Sequence, residues 1–184
     1  MSVPSRIRRN VGAFLAVSAL ALAVAQDQFA FMPASGQELL VAVLEGCGDC
    51  DDIPTLATWD LEADAWRQYF EEKGALADYD EKQVAVLVSY LAINFPTGAT
   101  NASSLPRSTR SMVILNCQLC HSIAVPMTQA RPLERWLEHR LIAPHDGLSL
   151  TPKDWETLAH YLANVAPLPL EVIPEQLRRG AGGY

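Results

Sequence analysis

Residues 116–122 read Asn116-Cys117-Gln118-Leu119-Cys120-His121-Ser122, and residues 46–52 read Gly46-Cys47-Gly48-Asp49-Cys50-Asp51-Asp52. Both stretches hold a Cys-x-x-Cys pair, but only the pair at Cys117 and Cys120 is followed by histidine. Laying one pair on the other gives a shift of seventy, which also carries Trp66 onto Trp136. One residue more carries Tyr90-Leu91-Ala92 onto Tyr161-Leu162-Ala163 and Pro96 onto Pro167. Self-similarity at a fixed period marks a tandem duplication. In each copy a short apolar segment enters the cysteine pair, a Trp-bearing amphipathic stretch follows, and a helical pattern ending in Tyr-Leu-Ala closes the unit before proline. No alternating strand pattern of any length occurs, so the sequence predicts an all-α fold of two tandem small helical domains. Their expected bounds are 26–96 and 112–167. The stretch Thr97 to Ser111, without apolar periodicity, reads as a linker with at most a short ordered patch. Residues 168–184 read as a Pro-rich tail, an extended strap carrying Leu168, Leu170 and Ile173.

The five residues Cys117 to His121 carry a specific chemistry. Covalent c-type haem attachment needs two thiols spaced to reach the two vinyl groups on one porphyrin edge, with an imidazole beside them to bind the iron. Cys-x-x-Cys-His on the first turns of a helix supplies all three. A thioredoxin-like redox pair would want a preceding strand and a βαβ setting, which the sequence lacks. A structural zinc site would want a second ligand pair at zinc spacing, and His139 and His145 are loosely placed for that. A plain disulfide leaves His121 unexplained.

The two copies differ in this chemistry. All four histidines, His121, His139, His145 and His160, fall in the second copy, and between Gly36 and Ser111 there is neither histidine nor methionine. The residue after the first pair is Asp51, so haem in the first copy would have no ordinary axial ligand. The first copy therefore reads as a domain that has lost its cofactor, with Cys47 and Cys50 as a local disulfide in an oxidising compartment. A redox-active dithiol is the competing reading, which Asp49 and Asp51 oppose by disfavouring a thiolate.

The chain opens with Arg6, Arg8 and Arg9, an uncharged apolar run from Val11 to Ala25, and the small-residue site Ala23-Val24-Ala25. This is the pattern of a secretory signal peptide over 1–25, and the general secretory route fits it better than the twin-arginine one. The apolar run is fifteen residues, short of the roughly twenty that a spanning helix needs, and no later stretch competes with it. The expected mature protein is periplasmic or otherwise exported, without a membrane span. Its formal charge falls from −7 to −10 with loss of the three arginines, which argues against nucleic acid and anionic membranes as partners. Residues 26–96 hold fourteen acids and three bases, so the acidity sits in the first copy. Such a face can steer a basic partner; equally, the first copy can be a solvated structural domain.

The stretch from Asn116 to Asn164 resembles the small monohaem class I c-type cytochromes of the sulfite dehydrogenase type. The resemblance rests on Asn116 to Ser122, on Thr128-Gln129, on Trp136 fifteen residues after the histidine, and on Tyr161-Leu162-Ala163. It implies a cytochrome c-like fold in each copy, one haem c held by Cys117 and Cys120, and His121 as proximal ligand. It also implies electron transfer from an exported dehydrogenase, in those relatives a molybdenum enzyme, to a downstream acceptor, with no catalytic residues in this chain. Those relatives carry a methionine seven residues after the tryptophan that binds the distal face of the iron; here that position is Ala143. Three side chains compete for the role. His145 lies in the loop Ala143-Pro144-His145-Asp146-Gly147, His139 lies one helical turn before Ala143, and Met127 follows a proline. An open position is the fourth possibility, and it would turn the protein into a haem enzyme or ligand sensor. Trp136, Leu158, Tyr161 and Leu162 are expected to pack around the haem, Arg131 and Arg135 to pair with its propionates, and His160 to be a solvated surface residue. A further reading is a structural subunit that anchors a redox complex through the acidic copy and the tail.

Overall fold

The structure, a computed structural model, describes residues 28–179. The signal peptide expected over 1–25 and the end of the tail at 180–184 lie outside the described residues. Residues 28–32 belong to a first unit and form a turn closed by the Met32 N–H on the Phe29 carbonyl at 3.0 Å. From Pro33 onward the described residues belong to one compact unit that holds both copies of the repeat.

The first copy contributes α1 (Gly36–Gly46), α2 (Ile53–Leu56), α3 (Ala63–Glu72) and α4 (Glu81–Asn94). The second contributes α5 (Thr109–Asn116), α6 (Ala124–Met127), α7 (Leu133–Glu138) and α8 (Pro152–Val165), and α9 (Glu175–Arg178) follows in the tail. Short 3-10 turns occupy Ala102–Ser104, Cys117–Leu119, His139–Leu141, His145–Gly147 and Leu170–Val172. Among the described residues there is no strand, so the fold is all-α as the sequence predicts.

The closing helices α4 and α8 form for the same local reasons. Each spans 14 residues and opens on a reciprocal capping box, Asp80 with Gln83 and Thr151 with Asp154, and Pro152 at the first position of α8 adds a preset φ. Each is apolar on two faces, and the register repeats at seventy-one. Val84, Leu87, Val88 and Leu91 are matched by Trp155, Leu158, Ala159 and Leu162, all buried at i, i+3, i+4, i+7 spacing. A second buried row, Val86, Tyr90 and Asn94, is matched by Thr157, Tyr161 and Val165. Helices buried on two sides need two partners, and here the second partner is the other copy. The buried Asn94 side chain donates to Thr157 Oγ1 at 3.0 Å, and Lys153 Nζ donates to the Asn94 carbonyl at 3.1 Å.

The contacts between copies come in reciprocal pairs. Tyr90 donates its hydroxyl to the Pro106 carbonyl, just before α5, at 2.9 Å, and Tyr161 donates to the Pro33 carbonyl, just before α1, at 2.7 Å. Between them the two helix-capping serines meet, Ser108 Oγ to Ser35 Oγ at 3.0 Å. The arrangement is that of an isologous dimer made within one chain. A second matched pair anchors the segment after each closing helix: the Thr97 N–H bonds the Ala57 carbonyl at 2.8 Å and the Leu168 N–H bonds the Met127 carbonyl at 2.7 Å.

Two features differ from the sequence reading, the start of α5 and the form of the tail. The helix α5 starts at Thr109, inside the expected linker 97–111, because Thr109 is already buried with Met112 and Val113. The ordered patch in the linker is the turn Ala102–Ser104, held by the Asn101 side chain accepting from Ser103 and Ser104. The tail is less extended than a strap: it holds a 3-10 turn and α9. Of its three apolar residues only Ile173 is fully buried, while Leu170 is exposed. No helix among the described residues is long and apolar enough to cross a membrane.

Gly36 marks the tightest helix crossing. A Cβ there would lie 2.1 Å from Tyr90 Cβ and 2.5 Å from its Cγ, so α1 and α4 touch through a position that admits no side chain. Gly36→Ala is expected to cost about 1–3 kcal/mol by overpacking. Gly48→Ala, with nothing within 4 Å, is expected to stay within about 0.5 kcal/mol. Urea unfolding of both variants checks the contrast.

Candidate functional site

Cys117 caps the end of α5, and Cys117–Leu119 form a 3-10 turn that brings the His121 N–H toward the Cys117 carbonyl at 3.4 Å. The motif therefore closes a helix rather than opening one, as the sequence reading had it, because α5 is only 8 residues long and its buried Met112 and Val113 fix its end. Cys117 and Cys120 carry free thiols, whereas Cys47 and Cys50 are joined in a disulfide with Cα atoms 5.5 Å apart. Burial, with Cys120 beside it, pushes the Cys117 thiol up to about 12, which keeps it protonated and gives no support to thiolate redox chemistry.

These residues form one wall of a cavity of about 330 Å³, within the size range of small-molecule and cofactor sites, roughly 300–1,000 Å³. Helix α8 supplies an apolar wall through Trp155, Leu158, Ala159 and Leu162, and α7 supplies Trp136. Trp155 Nε1 donates to the Trp136 carbonyl at 3.1 Å and so locks these two walls together. Tyr161, expected to pack here, is absent from the lining; its ring is committed to the contact between copies.

Three histidines face this space, in different states. His121 Nδ1 meets the carbonyl of Ser122 at 3.1 Å, and a proton held there leaves Nε2 as the free electron-pair donor. His139 has both nitrogens engaged: Nδ1 donates to the Arg135 carbonyl at 2.6 Å, and Nε2 meets the Arg131 guanidinium. His145 has its Nδ1 buried without a hydrogen-bond partner. Burial first, then the nearby His139, hold the His145 pKa below the usual imidazole value and favour its neutral form. The ring centroids of His121 and His145 are 6.5 Å apart, and those of His139 and His145 are 5.7 Å apart. Met127 is fully buried but does not line the cavity, and it occupies the place of the buried Ala57 in the first copy. His160 is half-buried and also lies outside the lining. Of the two arginines, Arg131 lines the cavity and lies 5.4 Å over the Trp136 ring, whereas Arg135 pairs with Glu138 at the surface.

The first copy shows what happens to the same space without these groups. At the shift of seventy, Asp51 stands for His121, Trp59 for the cavity-lining Gln129, and Tyr69 for the cavity-lining His139. Trp59 stacks on Trp66 at 5.7 Å and meets Tyr69 edge-on at 5.0 Å. Tyr69 donates its hydroxyl to the Asp51 carboxylate at 2.9 Å and accepts from the Asp51 N–H at 2.7 Å. Aromatic rings thus replace the smaller side chains that border the cavity of the second copy. The loop that carries His145 also differs from its counterpart, which has Ala75 at that position. In the first copy, α3 ends on Gly74 at φ +66, with the Gly74 N–H on the Glu71 carbonyl and the Ala75 N–H on the Phe70 carbonyl, both at 2.9 Å. That is a Schellman stop. The second copy has Pro144 at that place; there α7 passes into the 3-10 turn His139–Leu141, at the positions that Tyr69–Glu71 hold within α3, and a second 3-10 turn follows at His145–Gly147.

The residues of the second copy fit a porphyrin. Two free thiols and the imidazole of His121 lie on one wall, the imidazoles of His139 and His145 border the same space, and the remaining lining is largely apolar. A bare divalent ion fits poorly, since zinc needs three or four protein ligands. Among the described residues no group of three or more His, Cys, Asp or Glu is arranged to hold one.

In the chain without attached haem, the exposed Cys120 is expected to alkylate at least about tenfold faster than the half-buried, protonated Cys117 at pH 8. Cys47 and Cys50 are expected to react only after reduction. Peptide mapping after iodoacetamide checks both.

Comparison of the chain with family models, with curated proteins and with solved structures returns no match.

Proposed function

We propose that this chain is an exported electron-transfer protein of the c-type cytochrome kind, with two tandem cytochrome c-like repeats of which only the second carries haem. The observation that carries the reading is the asymmetry between the two cysteine pairs. Cys117 and Cys120 keep free thiols beside His121 on the wall of an apolar cavity, while Cys47 and Cys50 are cross-linked beside Asp51 and an aromatic cluster.

In this reading Cys117 and Cys120 form the thioether bonds and His121 provides the proximal nitrogen, its ring oriented by the Ser122 carbonyl. Bound haem supplies reversible one-electron exchange between ferric and ferrous iron. Leu158, Leu162 and Trp136 give the cavity an apolar lining, which reduces the solvent reorganisation that accompanies electron transfer. Arg131, held against Trp136, places positive charge for the propionates. Outer-sphere transfer asks nothing more of the chain, so no catalytic residue is assigned. The donor is an exported dehydrogenase, of the molybdenum type if the family resemblance extends to partners, and the acceptor is a downstream carrier. The acidic first copy, lacking a cofactor, serves as a docking face for a basic partner, with attraction that weakens as salt rises.

Protein exported from a host that matures c-type cytochromes is expected to show a single reversible one-electron wave in film voltammetry, with a reduced visible spectrum typical of thioether-bound haem. Cys117→Ala combined with Cys120→Ala is expected to abolish both signals, and Cys47→Ala combined with Cys50→Ala to keep them. A signal that survives loss of Cys117 and Cys120 counts against the proposal.

A further inference from the structure

The geometry points to His145 as the second protein ligand of the cofactor iron, opposite His121, so that the site is six-coordinate through two imidazoles. The inference rests on haem attachment at Cys117 and Cys120, and it assigns the position that the sequence left open among His145, His139, Met127 and no ligand at all.

Four observations separate the candidates. Two imidazoles bound end-on to opposite faces of one metal ion, with bonds of about 2.0–2.1 Å, hold their ring centroids on the order of 6.4 Å apart; His121 and His145 are 6.5 Å apart. His145 lines the cavity and its Nδ1 is buried without a partner, so no hydrogen bond at that nitrogen has to break for the ring to take a ligand. His139 is already spoken for at both nitrogens, by the Arg135 carbonyl and the Arg131 guanidinium, so ligation through it would break an existing bond. Met127 points away from the cavity lining, and its own carbonyl is held by the Leu168 N–H at 2.7 Å on the strap that closes the copy.

The local chain explains how His145 comes to be there. After its Trp-bearing helix the second copy has Pro144 where the first has Gly74, and the chain forms a 3-10 turn at His145–Gly147. The His145 N–H bonds the Ile142 carbonyl at 2.8 Å and the Leu148 N–H bonds the His145 carbonyl at 3.1 Å, which fixes the turn at both ends. Trp155, with its ring centroid 6.0 Å from that of His145, backs the imidazole from α8. Two consequences follow for the site. The iron has no vacant position for oxygen, peroxide or carbon monoxide, so the chain works as a carrier rather than as an enzyme or gas sensor. Two imidazoles also set a lower reduction potential than a histidine and a thioether would.

The test uses the haem-loaded, exported chain, with intact mass read first. The wild type is expected to be low spin in both oxidation states, with an electron paramagnetic resonance spectrum of two imidazoles, and to bind carbon monoxide negligibly. His145→Ala is expected to turn the ferric form high spin and to raise carbon monoxide affinity at least about tenfold, while added imidazole restores the low-spin state. His139→Ala and Met127→Leu are expected to stay low spin. Should His145→Ala fail to fold, His145→Met decides instead: it is expected to remain six-coordinate, to gain a sulfur-to-iron charge-transfer band and to rise in potential. A chain without covalent haem overturns the proposed function and this inference with it. A haem-bearing wild type that is high spin, or that already shows the sulfur band, overturns the inference alone, as does a His145→Ala variant that stays low spin.

Discussion

The packing of α4 on α8 is the contact on which the rest of the structure depends. Each of these helices is too apolar to face water on two sides, and each solves the problem with the same helix of the other copy. Asn94 and Thr157 place a satisfied polar pair inside this seam, and Tyr90 and Tyr161 tie each copy to the entry of the other's first helix. A duplicated unit of about seventy residues is near the lower limit for a stable core of its own. Pairing two copies within one chain supplies the missing partner surface. That gives the first copy a structural role, since its loss would expose the second row of α8.

From that common frame the two copies have moved in opposite directions. The first has filled its interior with Trp59 and Tyr69, tied Asp51 to Tyr69, and joined its cysteines. The second has kept smaller side chains at the matching places and left an apolar space bordered by two thiols and three imidazoles. A difference of one residue type redirects the chain at the decisive point. Glycine at 74 adopts the left-handed conformation and stops its helix, whereas the second copy has proline at 144 and holds His145 in a 3-10 turn.

Much of this was legible in the sequence because it is written in spacing. The cysteine pairs, the tryptophans and the Tyr-Leu-Ala helices repeat at fixed intervals, and that repetition together with helical periodicity gave the all-α class and the matched elements. The Cys-x-x-Cys-His motif, on which the proposed haem attachment rests, was legible because five adjacent residues carry it. What spacing does not encode is side-chain commitment. Nothing in the order of residues says that Tyr161 turns to Pro33 rather than to the cavity, that Arg131 and the Arg135 carbonyl occupy His139, or that Trp59 and Tyr69 fill the first copy. Trp59 and Tyr69 could have been found by asking which residues fall on the cavity positions at the shift of seventy. The linker end at Thr109 was missed because burial of Thr109, a tertiary effect, extends a helix into a stretch whose composition reads as loop.

The central claim is that one chain carries one haem, in the second copy. It is tested most directly by intact mass of the exported, mature protein followed by peptide mapping of the cysteines. The account predicts the mass of a single haem, on the peptide that contains Cys117 to His121, with Cys47 and Cys50 recovered as an unmodified disulfide. Haem on the Cys47 peptide, or a mature chain with no added mass, would contradict it.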